Sequence, residues 1–347
     1  MNRALEAALG DALRQLGDEI PADWRRIVMI KNDGPIPLPR HPVVGDAGRG
    51  FNLLLLSADG NPAYYVRCRD AGDTIAAREA EVLRRLAQSP TIGIHLPEAA
   101  GTRAAGIQVL ATRYMDGELF AHLLRKMTHD EWRDAVLALT ELVTDIGRAG
   151  QASIPDLIRP EPFDFWGEGE APLALLPMSS GQLEACAAAL RAAGTAPRFP
   201  QHGDLWPGNV IRQRGIWRLL DFDLFGRVDA PLFDACHLTF TSTEYLLSGG
   251  HGLDVPWVRL LEGHDIVGRG GRQILRQNAL AEGLSAGQAL GALVYYLIEA
   301  TARLLRKGAH SDVWRGPLAE AAAAADVLRG GGDAREIFFP ELMRERV

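Results

Sequence analysis

Up to Arg113 the chain is rich in short strand-like runs, and beyond Asp116-Gly117 helical patterns dominate; no other feature constrains the fold as much. In the first part, Arg26–Ile30 reads as a short strand and the prolines at 35, 37, 39 and 42 interrupt regular structure. The runs Phe51–Leu56 and Ala63–Arg69 flank Asp59-Gly60, a β-hairpin signal. Strand-like runs surround Leu96–Ala99 and Ile107–Arg113, and a helix is expected from a cap at Asp73 to about Ala87. Leu5, Leu9, Leu13 and Leu16 place a further amphipathic helix at the N-terminus. In the second part, helices are expected over Leu119–Lys126, His129–Arg148 and Ser180–Ala193, and again to about Leu328. One β-rich island, residues 209–222, interrupts them. The fold class is therefore α+β, a small β-sheet portion followed by a larger, mainly helical one.

Several function classes recede on composition. A net charge of −7 argues against a nucleic-acid backbone as partner, since such proteins present a basic face. Cys68, Cys186 and Cys236 are odd in number and widely spaced, which suits neither a disulfide framework nor a zinc site and points to a reducing, cytoplasmic setting. The first residues carry early acids and lack the apolar run of a signal peptide. The most apolar stretch, Ala289–Ala302, contains Gly291 and Glu299 and reads as a buried helix rather than a membrane span.

Chemistry concentrates in His202-Gly203-Asp204-Leu205-Trp206-Pro207-Gly208-Asn209 and the segment that follows. Val210–Arg212 and Ile216–Leu220 read as two strands joined by a turn at Gln213–Gly215. Asn209 opens the first strand and Asp221 closes the second, so both side chains should sit at one end of the hairpin, with strands ~4.8 Å apart. Asp204 lies on the loop feeding that end. Hard oxygen donors of this kind suit Mg²⁺, which takes one or two protein carboxylates plus phosphate oxygens. A carboxylate beside such a metal suits a general base. Asp and Asn in a Gly/Pro-rich loop are also ordinary turn formers, so the weight rests on the whole constellation.

The D-x-x-x-x-N spacing of Asp204 and Asn209, with Asp221-Phe222 downstream, resembles the aminoglycoside phosphotransferase, choline kinase and fructosamine kinase superfamily. The resemblance spans roughly residues 45–240 and is strongest over 202–234. It implies a protein-kinase-like fold with two lobes. Residues 1–112 would form a nucleotide-binding lobe carrying the extra N-terminal helix, 113–117 a hinge, and 118–347 a helical lobe with the catalytic loop and acceptor site. It implies ATP and Mg²⁺ as cofactors and γ-phosphoryl transfer to a hydroxyl of a small molecule: a sugar, an aminoglycoside, an amino alcohol or a related metabolite. Asp204 would be the base, Asn209 and Asp221 the metal ligands, His202 the support of the loop, and Asp234 a structural anchor. No nucleic acid or membrane partner is expected.

Gly45, Gly48 and Gly50 precede a strand, as a phosphate-covering loop should, but in the spacing G-x-x-G-x-G; Asn52 follows them. Tyr114 and Met115, at the hinge, join the expected nucleotide contacts. In the expected helix after residue 73, Glu79 falls on the apolar stripe of Ile75, Val82, Leu83 and Leu86, where an unpaired carboxylate is costly. Kinases pair it with a strand lysine; here the strand offers Arg67, the better aligned, or Arg69 on the same face. Asp223, Trp206, Cys236 and His237 are assigned packing or other bland roles. Glu161, Asp164, Glu168 and Glu170 could hold a cationic acceptor, or simply be solvated. Two other readings stay open. A pseudokinase-like binding module is favoured by the arginine and the irregular glycine loop. A protein Ser/Thr kinase is disfavoured because only thirteen positions separate Asp221 from Asp234, too few for an activation segment.

Overall fold

A computed structural model describes residues 11, 14–15, 24–30, 51–70, 74–104, 107–160, 179–248 and 265–306. Gly45, Gly48, Gly50, the Asp73 cap, the acidic stretch 161–170 and the chain after 306 lie outside the described residues, as does most of the expected N-terminal helix. The first part is an antiparallel sheet of β1 (Trp24–Ile30), β2 (Phe51–Ser57), β3 (Pro62–Asp70), β4 (Ala99–Ala104) and β5 (Ile107–Arg113), in the order β1-β2-β3-β5-β4. The β2–β3 hairpin turns at Gly60, whose φ of 82° lies in the left-handed region that Asp59-Gly60 supplies. Leu53, Leu55, Val66 and Cys68 are buried on the core face of that hairpin.

Helix α1 (Ile75–Leu86) packs across β4 and β5 and buries Ala76, Glu79, Ala80, Leu83 and Leu86, one helical face. A one-turn helix α2 (Pro90–Gly93) follows. The run expected as a strand around Leu96–Ala99 is shifted: Leu96 is buried in the core, Pro97 donates no ladder hydrogen bond, and the strand starts at Ala99. Leu119–Lys126 is likewise not a single helix. It divides into β6 (Glu118–Leu119), α3 (Phe120–Leu123) and a 3-10 turn, Leu124–Lys126.

The helical part is built on α4 (His129–Ser153) and α5 (Ser180–Gly194), each opened by a capping box, Thr128 with Glu131 and Ser179 with Gln182. A second sheet joins β6 to β7 (Val210–Gln213) and β8 (Ile216–Leu219), and its last two strands are the island foreseen at 209–222. Helices α6 (Phe233–Ser248), α7 (Ile266–Ala281) and α8 (Ala286–Arg306) complete the described chain. The apolar stretch from Ala289 is the buried centre of α8, with Leu290, Leu293, Val294 and Leu297 all inaccessible or nearly so. Among the described residues no helix is long and apolar enough to cross a membrane.

One core cluster matters for the site. Val82, Leu83 and Leu86 of α1 share it with Trp132 and Val136 of α4, Val210 and Leu219 of the hairpin, and Phe222 and Phe225. The same apolar burial that holds α1 on the helical part therefore sets Glu79 beside Asp221-Phe222.

Candidate active site

The loop His202–Asn209 is held from below by Asp234, the second residue of α6. This carboxylate is buried and accepts the backbone N–H of His202 at 2.5 Å and of Gly203 at 3.0 Å. Burial pushes the Asp234 carboxyl up from its ordinary value, and His202 with the two amides opposes that. Gly203 needs its missing side chain: its φ is 83°, and a Cβ would press on Leu224 at 3.0 Å. His202 donates its Nε2–H to the Leu220 carbonyl at 2.8 Å and stands edge-on to Phe222. It thus ties the loop to the strand that leads into Asp221.

Asn209 and Asp221 meet at one end of the hairpin as the spacing predicts. The Leu220 N–H donates to the Asn209 carbonyl at 2.9 Å, immediately before Asp221. The Asn209 Nδ2 donates to the Asp204 carbonyl at 2.9 Å and to its carboxylate Oδ2 at 3.1 Å. Asp221 adopts φ of 61°, a left-handed conformation that Asp tolerates better than most residues.

From the other side, Arg67 of β3 forms an ion pair with the buried Glu79 and donates Nη1–H to Asp221 Oδ1 at 2.8 Å. The second Glu79 oxygen accepts the Phe222 N–H at 3.1 Å. Burial pushes the Glu79 carboxyl up, and Arg67 and the Phe222 amide pull it back. Burial pulls the Arg67 guanidinium down, but Glu79, Asp221 and Asp223 outweigh it, so the net direction is up and the cation is permanent. Arg69 points elsewhere, donating to the Cys68 carbonyl at 3.0 Å and toward Asn52 Oδ1 at 3.4 Å. Of the two arginines, then, Arg67 meets Glu79. Asn52 sits opposite Arg67 in the β2–β3 register. Tyr114 is exposed and Met115 buried just past the end of β5.

Three residues take positions the sequence reading did not assign. Asp223 lies within the same electrostatic cluster: burial, then Asp221 and Glu79, push its carboxyl up to about 8. Arg78, next to Glu79, donates to the carbonyls of Leu157, Asp223 and Phe225, stitching α1 to the segment after the hairpin. An arginine one position from a stripe residue carries no sequence signal for that role. His237, expected in the core, instead faces the loop, with Nε2 3.5 Å from Asp204 Oδ1. Its neighbour Cys236 is core as expected, and Trp206 packs near Tyr245.

The phosphotransferase enzyme family matches residues 46–261, a stretch that contains every group just described. The chain belongs to that family. The match agrees with the resemblance carried by residues 202–234, and membership makes the protein a phosphotransferase. Two solved structures share its fold. Choline kinase from Cryptosporidium parvum Iowa II is 10% identical, covers 96% of this chain and 99% of its own, and has a TM-score of 0.54. A thermostable mutant of aminoglycoside phosphotransferase APH(4)-Ia, in ternary complex with ADP and hygromycin B, is 14% identical over 92% of this chain and 98% of its own, with a TM-score of 0.50. No curated protein matches by sequence. Both structural relatives support the two-part, kinase-like α+β fold.

Proposed function

We propose that the protein transfers the γ-phosphoryl group of ATP, with Mg²⁺, to a hydroxyl of a small molecule. The observation that carries this reading is the convergence of Asp204, Asn209 and Asp221 at one end of the β7–β8 hairpin, opposite the Arg67–Glu79 pair. The relatives named above, one holding ADP and hygromycin B and the other a choline kinase, support the substrate class.

The donor set fits a magnesium nucleotide. Among the described residues no three His, Cys, Asp or Glu side chains are arranged to hold a metal. A two-donor site completed by phosphate oxygens is the pattern Mg²⁺ favours. The Asn209 amide nitrogen is engaged by Asp204, so its oxygen is the hard donor that it would offer a metal together with the Asp221 carboxylate. Bound there, Mg²⁺ would neutralise charge that develops on the transferred phosphoryl group. Asp204 accepts the acceptor hydroxyl proton at its carboxylate, and Asn209 holds that carboxylate in place. Arg67, kept cationic by Glu79, would be the group that meets the phosphates. The family resemblance would give Gly45, Gly48, Gly50 and Asn52 the role of covering them, and Tyr114 and Met115 that of contacting the nucleotide base. His202 supports the loop. The three free cysteines suit a cytoplasmic setting.

Arg67 in contact with the Asp221 carboxylate is the observation that favours a nucleotide-binding module of weak turnover. One assay separates the readings. ATP consumption is measured against pooled sugars, aminoglycosides and amino alcohols, with calorimetry of ATP binding with and without EDTA. Phosphotransfer predicts an acceptor-dependent signal, and Mg²⁺-dependent ATP binding that Asp221→Ala abolishes. Metal-independent ATP binding by the wild type would remove Asn209 and Asp221 from the proposal.

A further inference from the structure

His237 lies on the first turns of α6, one turn beyond the anchor Asp234. Its ring is bracketed. Nδ1 is 3.1 Å from the Tyr296 hydroxyl on α8, and Nε2 is 3.5 Å from Asp204 Oδ1. The ring stacks on Phe233, itself fully buried, and its side chain keeps 17% of its surface exposed. A core histidine would have no carboxylate at its edge.

The chemistry of the bracket sets the proton. A neutral imidazole carries one N–H, and which nitrogen carries it follows from what each faces. Nε2 faces a carboxylate, which accepts and cannot donate, so the proton belongs on Nε2. Nδ1 is then the acceptor, and Tyr296, buried at 1% exposure, supplies the O–H. The other Asp204 oxygen already takes the Asn209 Nδ2–H. Each oxygen of the carboxylate thus faces one donor, Asn209 from its own loop and His237 from α6.

We propose that His237, oriented by Tyr296, is a positioning residue that holds Asp204 aimed at the acceptor hydroxyl. This rests on the phosphotransfer reading of the site. The 3.5 Å separation is longer than a formed hydrogen bond, and contacts of this kind tighten when a substrate loads the base. A helix that anchors the loop backbone through Asp234 and aims its carboxylate through His237 sets the height and the direction of the base from one rigid element.

The test uses the full chain and ATP hydrolysis, with water as the acceptor, read by phosphate release. His237→Leu keeps the bulk and loses the donor. It should lower kcat about tenfold, the effect of one lost hydrogen bond, with KM for ATP and Tm near wild type. His237→Gln restores an N–H donor at comparable reach and should regain most of the rate. Tyr296→Phe removes only the hydroxyl; it should fall between the two and keeps the test alive if His237→Leu folds poorly. In an Asp204→Asn background, His237→Leu should have no further effect on rate. ¹⁵N NMR of the His237 imidazole should show the proton on Nε2, with a signal that moves in Asp204→Asn. Wild-type kcat in both His237→Leu and Tyr296→Phe would overturn the positioning role and leave the phosphotransfer reading intact. A rise in KM at unchanged kcat would reassign His237 to ligand binding and overturn it as well. A wild type that neither hydrolyses nor transfers the phosphoryl group of ATP would overturn the phosphotransfer reading, and the positioning role with it.

Discussion

The two halves of the site are held together by different physics. On one side, Arg67, Glu79 and Asp221 come from β3, α1 and the segment just after β8, and charge joins them across as many as 154 positions. On the other, residues 201–237 organise themselves: Asp234 takes two backbone amides, His202 reaches Leu220, and Asn209 reaches Asp204. The charged side depends on every partner, because removing one leaves a buried ion uncompensated. The loop side depends on shape and on backbone hydrogen bonds, so an isosteric change there should leave the architecture standing while removing chemistry. Function and stability should therefore part on the loop side and move together on the charged side.

The largest expected effect is on the loop side. Asp204→Asn preserves the turn and a hydrogen-bonding oxygen but is no base, so turnover should fall at least about a hundredfold, roughly 3 kcal/mol of barrier or more. ATP affinity and Tm should stay near wild type. Near-normal turnover in steady-state kinetics would reduce Asp204 to a turn former and break the contrast from the loop side.

An intermediate effect is expected on the charged side, and there stability should move together with function. Glu79→Gln takes from Arg67 its buried partner while leaving Asp221. It should cost about 2–3 kcal/mol of stability and weaken ATP binding, whereas Glu81→Gln, whose native carboxylate sits at the surface with Arg84, should do little. Denaturant melts and calorimetry check both. The Glu79 effect should shrink in an Arg67→Ala background and persist in Arg69→Ala, which would sharpen the assignment to one arginine. Equal, negligible effects of Glu79→Gln and Glu81→Gln would remove the network from the account.

The smallest effect concerns Glu282, which supports the anchor by accepting the Leu232 N–H at 3.1 Å, two residues before Asp234. Leu232 has φ of 56°, so its amide is presented by an unusual backbone that the carboxylate meets. Burial pushes the Glu282 carboxyl up from 4.5 to about 8. The unfolded chain releases this proton near pH 4.5 and the folded chain holds it to about 8, so its contribution to stability declines as pH rises through that window. The ceiling is about 1.4 kcal/mol per pH unit, and residual solvent contact reduces it to about 1–2 kcal/mol between pH 5 and 7. Glu282→Gln keeps the acceptor oxygen and should flatten the Tm–pH curve over that range. An unchanged slope would mean that the loop side carries no titrating support.

How much of this could be read in the chain follows the same division. The Asp204–Asn209 spacing, the hairpin and Asp221 lie within eighteen residues, where turn chemistry and strand alternation operate at short range. The hairpin limits foreseen there match the observed strands to within one residue. Pro97 and the division of Leu119–Lys126 were less legible, because Leu96, Phe120 and Leu124 are apolar for core packing and not for the periodicity of one element. The edge of His237 is not legible for a related cause: it sits among Cys236, Leu238 and Phe240, packs on Phe233 as its apolar stretch implies, and only the neighbouring loop brings a carboxylate to it.

By itself the sequence determined the α+β division, the loop that carries Asp204 and Asn209, and the need of Glu79 for a cationic partner, since a carboxylate on an apolar stripe cannot be left bare. Only the tertiary structure decided between Arg67 and Arg69. The two share a strand face, so strand alternation does not separate them and alignment with the family only favours Arg67; the choice is made by where the apolar face of α1 comes to rest against Phe222 and Phe225. It likewise decided that His237 meets Asp204, because the pitch of α6 over the loop is set by Asp234 and by packing on α8, contacts between segments that no spacing along the chain encodes.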